Sequence, residues 1–269
     1  MSNRMNNRIM VKEVLRFTEE LHERYPERIN NSIRNTVKYD DVRELDHPKP
    51  EYKEPAIVSV VYEDSADTAF FMQQRGLNPV AINMASNRTP GGGWRNGAMA
   101  QEESLFYRSL YYLSLEDPWE LNENSKNYYP IPAYGAIYTP DVFFFRSKQL
   151  DGFQILPYDQ CAFISFLAVA AIRNPQLKSD GTYRPADYRR MKEKVRGIFK
   201  IALKHGHDSI VLGAFGCGAF HNPPEQVADI ICEIIKEYRY NFREIAIAIL
   251  DYGQSKNFPI FQKLITSHY

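Results

Sequence analysis

The chain has 269 residues, with 33 Lys plus Arg against 33 Asp plus Glu and a formal net charge of zero. That length suits one large domain or two small ones with a sizeable core, and balanced charge argues against general binding to nucleic acid or an anionic membrane. No apolar run approaches the roughly 20 residues of a membrane span. The start, MSNRMNNRIMVKEVLRF, lacks the apolar centre of a secretory signal, and three scattered cysteines (Cys161, Cys217, Cys232) suggest a reducing compartment without a disulfide framework or zinc site. An intracellular, cytoplasmic globular protein is expected.

Met10, Val14, Phe17 and Leu21 recur at helical spacing and predict an amphipathic helix ended by Pro26. The proline-punctuated stretch to Pro50 reads as an extended connection. Residues 1–50 are therefore expected to be an N-terminal helical extension, and residues 51–269 the main domain. AIVSVVY (56–62) predicts a buried strand from its β-branched content. DSADTAFFMQQ (64–74) predicts a helix capped by Asp64 or Ser65 and closed by Gly76. PVAINMA (79–85) predicts a second strand, and residues 101–113 a helix. AFISFLAVAA (162–171), SIVLGAF (209–215) and EIAIAIL (244–250) predict further strands. Helical faces are expected at 191–202, after an Asn222 cap, and at 258–265. Strands alternating with helices imply an α/β sheet covered on its faces. Such sheets bind ligands beyond the carboxyl ends of their strands.

Two loops follow predicted strands at that end. In ASNRTPGGGWRNGAMAQEE, the glycines Gly91–Gly93 leave backbone amides open to a ligand, and Gln101-Glu102-Glu103 start a helix, whose dipole favours carboxylates there. In LGAFGCGAFHNPP, Gly213, Gly216 and Gly218 stand between an apolar strand and a helix start, a recipe for a phosphate cradle. It is neither GxGxxG nor a P-loop. Cys217 and His221 raise the rival idea of a Cys–His nucleophile, but no Asp stands ready to orient the histidine. The other histidines show no metal spacing and read as surface or capping residues. In YTPDVFFFR (138–146), Asp141 and Arg146 are candidates to touch substrate; the plainer reading is a strand packing three phenylalanines. The tyrosines at 107, 111, 112, 128, 129 and 134 read mainly as packing.

Taken together, PGGGWRNGAMAQEE, a GGG separated from QEE by the seven residues Trp94–Ala100, resembles the signature of the poly(ADP-ribose) glycohydrolases. LGAFGCGAFHNPP resembles the diphosphate-binding loop of the family's bacterial-type branch. The resemblance continues through INMAS, YTPDVFFFR and AILDYG, over residues 55–260 with the motif order intact. It implies a macrodomain-like three-layer α/β/α sandwich around a mixed sheet. It also implies that Glu103 is the catalytic acid and then base, with Glu102 holding ribose hydroxyls. Gly92 and Gly93 would approach the distal ribose and diphosphate, and Gln101 would also bind substrate. Gly216, Cys217, Gly218 and Ala219 would wrap the diphosphate, Phe220 would pack on the distal ribose, and Asn83, or else Asn87, would contact ribose. One departure is FLAVAAIRNP (166–175), where the family often carries a TAPAP-type segment that contributes to the cleft.

The implied reaction is hydrolysis of the ribose–ribose O-glycosidic bond, with poly(ADP-ribose) or ADP-ribosylated protein as partner, ADP-ribose as product, and no metal or cofactor. Adjacent helix residues point about 100° apart, so Glu102 and Glu103 are not expected to flank one bond as in two-carboxylate glycosidases, and a single-carboxylate scheme is expected. A mono-ADP-ribosyl-protein hydrolase of another linkage and a non-catalytic ADP-ribose-binding module are the alternatives.

Overall fold

The computed structural model describes residues 3–251 and 256–269. Two helices open the chain, α1 (Asn3–Arg24) and α2 (Pro26–Arg34). Pro26 starts the second helix instead of only ending the first, because its missing N–H is no loss at a first helical position. Ile29, Ser32 and Ile33 are buried by it. The strand β1 (Val37–Tyr39) then pairs antiparallel with β4 (Ala136–Phe144). The stretch expected to be an extended connection thus holds a helix and an edge strand of the main sheet. The periodicity of Ile29 and Ile33 was hidden by the polar residues between them.

The remaining strands are β2 (Ile57–Val61), β3 (Pro79–Met84), β5 (Ala162–Val169), β6 (Ser209–Leu212) and β7 (Glu244–Ala248). They form one seven-stranded sheet in the order β1-β4-β5-β3-β6-β7-β2. The β3–β5, β3–β6, β6–β7 and β7–β2 pairs are parallel, and β4 is antiparallel to both neighbours. The sheet is mixed, as expected. β2 is an edge strand and only half-buried, whereas its β-branched content suggested a buried one. β-branching reports fit to a pleated surface and does not distinguish edge from centre.

Helices cover both faces. α6 (Pro185–Lys204), α7 (Pro224–Tyr238) and α8 (Asn257–Thr266) enclose one core around Val80, Leu167, Ile210 and Ile247. α1, α2, α3 (Ser65–Gln74), α4 (Gln101–Arg108) and α5 (Tyr111–Glu116) enclose the other, around Ala81, Phe166, Val211 and Ala246. Alternate residues of the same strands serve opposite cores, the period-two rule of a sheet buried on both faces. The single helix expected over 101–113 breaks at Ser109, whose extended backbone ends α4; the Ser109 hydroxyl donates to Leu105 O and accepts from Tyr111 N–H.

Asp64 caps α3, accepting from Ala66 N–H at 2.8 Å and Asp67 N–H at 3.3 Å, as the sequence suggested. Asn222 does not cap α7; Pro223 occupies that position. The Asn222 amide instead donates to Ile172 O at 2.7 Å and Gly216 O at 2.9 Å and accepts from Tyr183 Oη–H at 2.7 Å. Burial made three tertiary bonds available, and they displaced the local one. His207 is also not a surface residue. It is buried, with Nδ1 at 3.1 Å from Asn78 O and Nε2 at 3.0 Å from Tyr138 Oη. No described helix is long and apolar enough to cross a membrane.

Candidate active site

A cavity of about 630 Å³ opens at the carboxyl ends of β3, β6 and β7. β3 is flanked by β5 on one side and β6 on the other. The chain therefore leaves the sheet in opposite directions around it, which parts the connections and leaves a crevice.

The glycine turn after β3 forms one wall. Trp94, at its far end, is buried against Phe106, Tyr107 and Tyr112, with ring centroids 5.4–6.3 Å away. Tyr107 Oη–H donates to Trp94 O at 2.7 Å and Ala98 O at 2.8 Å. The turn is thus pinned to the helix that carries the glutamates, and these tyrosines are packing residues. Gln101 fastens the start of that helix to the sheet. Its Oε1 accepts from Met84 N–H at 2.9 Å, and its Nε2 donates to Ile82 O at 2.8 Å and Ser65 Oγ at 3.0 Å. Although Gln101 borders the cavity, its amide is satisfied within the protein.

Glu102 and Glu103 are both buried, and both reach the turn. Glu102 accepts from Ser86 N–H at 2.7 Å, Gly91 N–H at 3.2 Å and Asn83 Nδ2 at 3.5 Å. Burial raises its carboxyl pKa to about 8; the Ser86 amide opposes this and the Glu103 charge adds to it. Glu103 accepts from Gly93 N–H at 2.9 Å. The carboxylates converge on Gly92: a β-carbon there would lie 2.6 Å from Glu103 Oε1 and 3.0 Å from Glu102 Oε2. Gly92 also has φ +56°, a region that L-residues disfavour. Adjacency on a helix therefore did not send the two groups apart. α4 is at its first turn here, and both side chains bend back onto the same glycine turn, Glu102 to Gly91 N–H and Glu103 to Gly93 N–H.

The loop after β6 forms the facing wall. Gly216, Gly218, Ala219 and Phe220 border the cavity. Among the described residues their amides donate to no protein acceptor, so they present an arc of free N–H groups. α7 starts at Pro224, and its first residues do not border the cavity. The free amides facing the cavity thus belong to the loop and not to the helix N-terminus. Gly216 (φ +75°) has a different constraint: a β-carbon there would lie 2.5 Å from both Ala171 Cβ and Asn222 Nδ2. A β-carbon at Gly218 would meet nothing within 4 Å.

Several sequence candidates lie off the cavity. Asn83 is fully buried with Oδ1 unpaired, whereas Asn87 borders the cavity. Cys217 does not border it; burial pushes its thiol well above the usual range, and its Sγ sits 3.8 Å from Phe215 O. His221 Nδ1 is 2.7 Å from Asn174 Oδ1. A half-buried thiol with a raised pKa, whose neighbouring histidine pairs elsewhere, does not make a nucleophile. Asp141 pairs with Arg28 at the surface, and buried Arg146 pairs with Glu13 and donates to Tyr107 O. Neither borders the cavity, and Phe143, Phe144 and Phe145 are buried, so the packing reading of that strand holds.

Sequence reasoning missed Arg88 and Arg173, which do border it. Arg173 falls in the segment that departs from the family pattern, which was the available signal. Of AILDYG, Ala248, Ile249, Leu250 and Asp251 border the cavity, and Tyr252 and Gly253 lie outside the described residues. No group of three or more His, Cys, Asp or Glu among the described residues is placed to hold a metal ion.

A mixed sheet between two helical layers, with a buried acid pair facing two glycine loops across one cavity, defines a macrodomain-like protein with the apparatus of a glycosidase. The family model described as the microbial-type PARG catalytic domain matches residues 8–147, and the chain belongs to that family. The poly(ADP-ribose) glycohydrolase of Thermomonospora curvata is similar in structure, with TM-score 0.79 and 24% identity over 97% of this chain and 100% of that one. The same protein bound to the inhibitor ADP-HPD gives 0.77 and 22%, over 97% and 99%. A Deinococcus radiodurans poly(ADP-ribose) glycohydrolase in complex with ADP-ribose gives 0.74 and 26%, over 88% and 97%. The comparison with curated protein sequences finds no match.

Proposed function

We propose that this protein is a poly(ADP-ribose) glycohydrolase, hydrolysing the ribose–ribose O-glycosidic bond to release ADP-ribose, with Glu103 as acid and base. Family membership supports the reaction. The unequal tethering of the two glutamates carries the assignment of roles. Glu102 is held by three donors on Ser86, Gly91 and Asn83, which suits a fixed acceptor for ribose hydroxyls. Glu103 is held by one, from Gly93, which leaves an oxygen to face the substrate.

The reaction then proceeds without a second carboxylate across the bond. Glu103 in its protonated form gives its proton to the departing oxygen as the C1″–O bond breaks. The electron pair leaves with that oxygen, and the ribosyl cation is stabilised by the substrate's own diphosphate, held by the amides of Gly216, Gly218, Ala219 and Phe220. Glu103, now ionised, takes a proton from water as the water oxygen bonds to C1″, which restores the acid. Gly92 and Gly93 let the ribose approach both carboxylates, because no β-carbon stands between them at Gly92.

The test is release of free ADP-ribose from purified poly(ADP-ribose), wild type beside Glu103→Gln. The variant should lose turnover by about 10³-fold or more while ADP-ribose affinity by calorimetry changes little, since removal of a catalytic group typically costs that much. Comparable turnover in the variant would remove Glu103 from the mechanism. Binding of ADP-ribose without release by the wild type would favour the binding-module reading.

A further inference from the structure

The acids around the cavity are already engaged. Glu63 pairs with Lys148, Asp64 with Arg108 at 2.7 Å, and Asp251 Oδ2 accepts from Phe258 N–H at 2.8 Å. Glu102 and Glu103 accept from the glycine turn. Arg88 and Arg173 differ from the nearby arginines Arg95 and Arg108, which pair with Glu116 and with Asp64 and Asp67. Both border the cavity, both are exposed, and among the described residues neither enters an ion pair or donates a side-chain hydrogen bond. Each has one local contact. Arg88 N–H donates to Ser86 Oγ at 3.1 Å, and the Arg173 guanidinium carbon lies 5.9 Å from the Phe220 ring centroid, near the free amides.

The site therefore holds two anion-binding devices of different kinds. One is an arc of uncharged loop amides. The other is a pair of guanidinium groups at the mouth, uncompensated within the chain. Guanidinium is the side chain best matched to phosphate oxygens. One ADP-ribose unit carries one diphosphate, which the amide arc can hold. In a polymer the group leaving C1″ is itself an ADP-ribose unit, carrying a second diphosphate outward from the glutamates.

We propose that Arg88 and Arg173 form an anion subsite at the cavity mouth for the diphosphate of the unit left behind when the terminal ADP-ribose is cut. The subsite makes the site selective for polymer over single-unit substrates. This rests on the glycohydrolase reading above.

The experiment compares Arg88→Gln, Arg173→Gln and the double variant on two substrates. One is purified poly(ADP-ribose) of ten or more units; the other is ADP-ribose α-linked to a neutral nitrophenol. Each single variant should lower kcat/KM on polymer by about fivefold and the double variant by about twentyfold, as charge-assisted phosphate contacts at an exposed site warrant. The nitrophenyl substrate should change by less than about twofold, and the polymer KM of the wild type alone should rise steeply with salt. Equal losses on both substrates would overturn the proposal, because the arginines would then bind the terminal unit. Unchanged rates on both would also overturn it. A wild type that cuts neither substrate would instead remove the glycohydrolase reading, and the subsite with it. Thermal midpoints of the variants are expected to stay within about 2 °C of the wild type, since neither side chain enters an ion pair or a side-chain hydrogen bond among the described residues and the Arg173 ring contact is at an exposed site.

Discussion

Replacing Gly92 by alanine tests whether the two carboxylates meet where they are described. The new β-carbon would stand 2.6 Å from Glu103 Oε1 and 3.0 Å from Glu102 Oε2, where ordinary contact begins near 3.4 Å. Glu102 is held by three donors, so Glu103 is the group that must yield, by about 0.8 Å. A displacement on the order of 1 Å in a catalytic group costs about 10²-fold in rate. The left-handed backbone adds about 1–2 kcal/mol of strain for an L-residue, or about 4 °C in the thermal midpoint of a domain this size. Gly92→Ala should therefore fold, melt a few degrees lower, and release ADP-ribose from poly(ADP-ribose) about 100-fold more slowly. Gly218→Ala is the contrast: its β-carbon meets nothing within 4 Å, so stability should stay within about 0.5 kcal/mol. Any effect of that variant should be on ADP-ribose affinity. Near-normal turnover in Gly92→Ala would refute the convergence of Glu102 and Glu103 on that glycine.

Glu102 has a pKa raised from 4.5 to about 8 in the folded protein, so its contribution to stability is full below pH 4.5 and is lost as pH rises toward 8. The unfolding free energy of wild type minus that of Glu102→Gln should thus fall by about 1.4 kcal/mol per pH unit between about pH 5 and 7.5; a flat difference from denaturant titrations would contradict the burial argument. Taking the difference matters because buried Lys194, lowered to about 7, gives a slope of opposite sign from there upward. Arg108→Leu should destabilise by about 3–5 kcal/mol, since it leaves Asp64 and Asp67 without their buried cation; a smaller loss would show that water reaches those acids. Cys217→Ser should keep full turnover, and wild type should resist mild alkylation; loss of activity in the variant would revive the thiol. Gly216→Val should lower stability more than ADP-ribose affinity, because its side chain runs into Ala171 and Asn222 and not into the cavity; a purely affinity-based loss by calorimetry would reverse that order.

The glycine turn and the acid pair were legible because they lie within twelve residues, Gly92 to Glu103, and meet through local backbone geometry. The Asp64 cap was legible for the same reason: its acceptors and donors are neighbours in sequence. Asn222 has the same kind of side chain and the right spacing, yet it spends its amide on Ile172, Gly216 and Tyr183, which the sheet brings beside it. Arg173 was not legible because its place at the mouth depends on β5 lying beside β3, and no short-range pattern encodes that adjacency. α2 was hidden because two buried isoleucines in nine otherwise polar residues make a weak stripe.

By itself, then, the sequence carried the motif resemblance that implied the macrodomain-like class, and it determined the alternation of strands and helices and the two glycine loops. Each of these is written in contiguous residues whose backbone demands, glycine conformations and hydrophobic periods act over a few positions. Tertiary structure alone decided how unequally the two glutamates are tethered, since that depends on which amides of Ser86, Gly91 and Gly93 meet each carboxylate. It also decided that the free amides facing the cavity belong to the loop after β6, that Cys217 does not border the cavity, and that Arg88 and Arg173 stand uncompensated at its edge. The physical reason is common to all four. Which hydrogen bonds are made, and what is buried, depends on how the loops fold back in three dimensions, and this outweighs local preference wherever the sheet brings groups together.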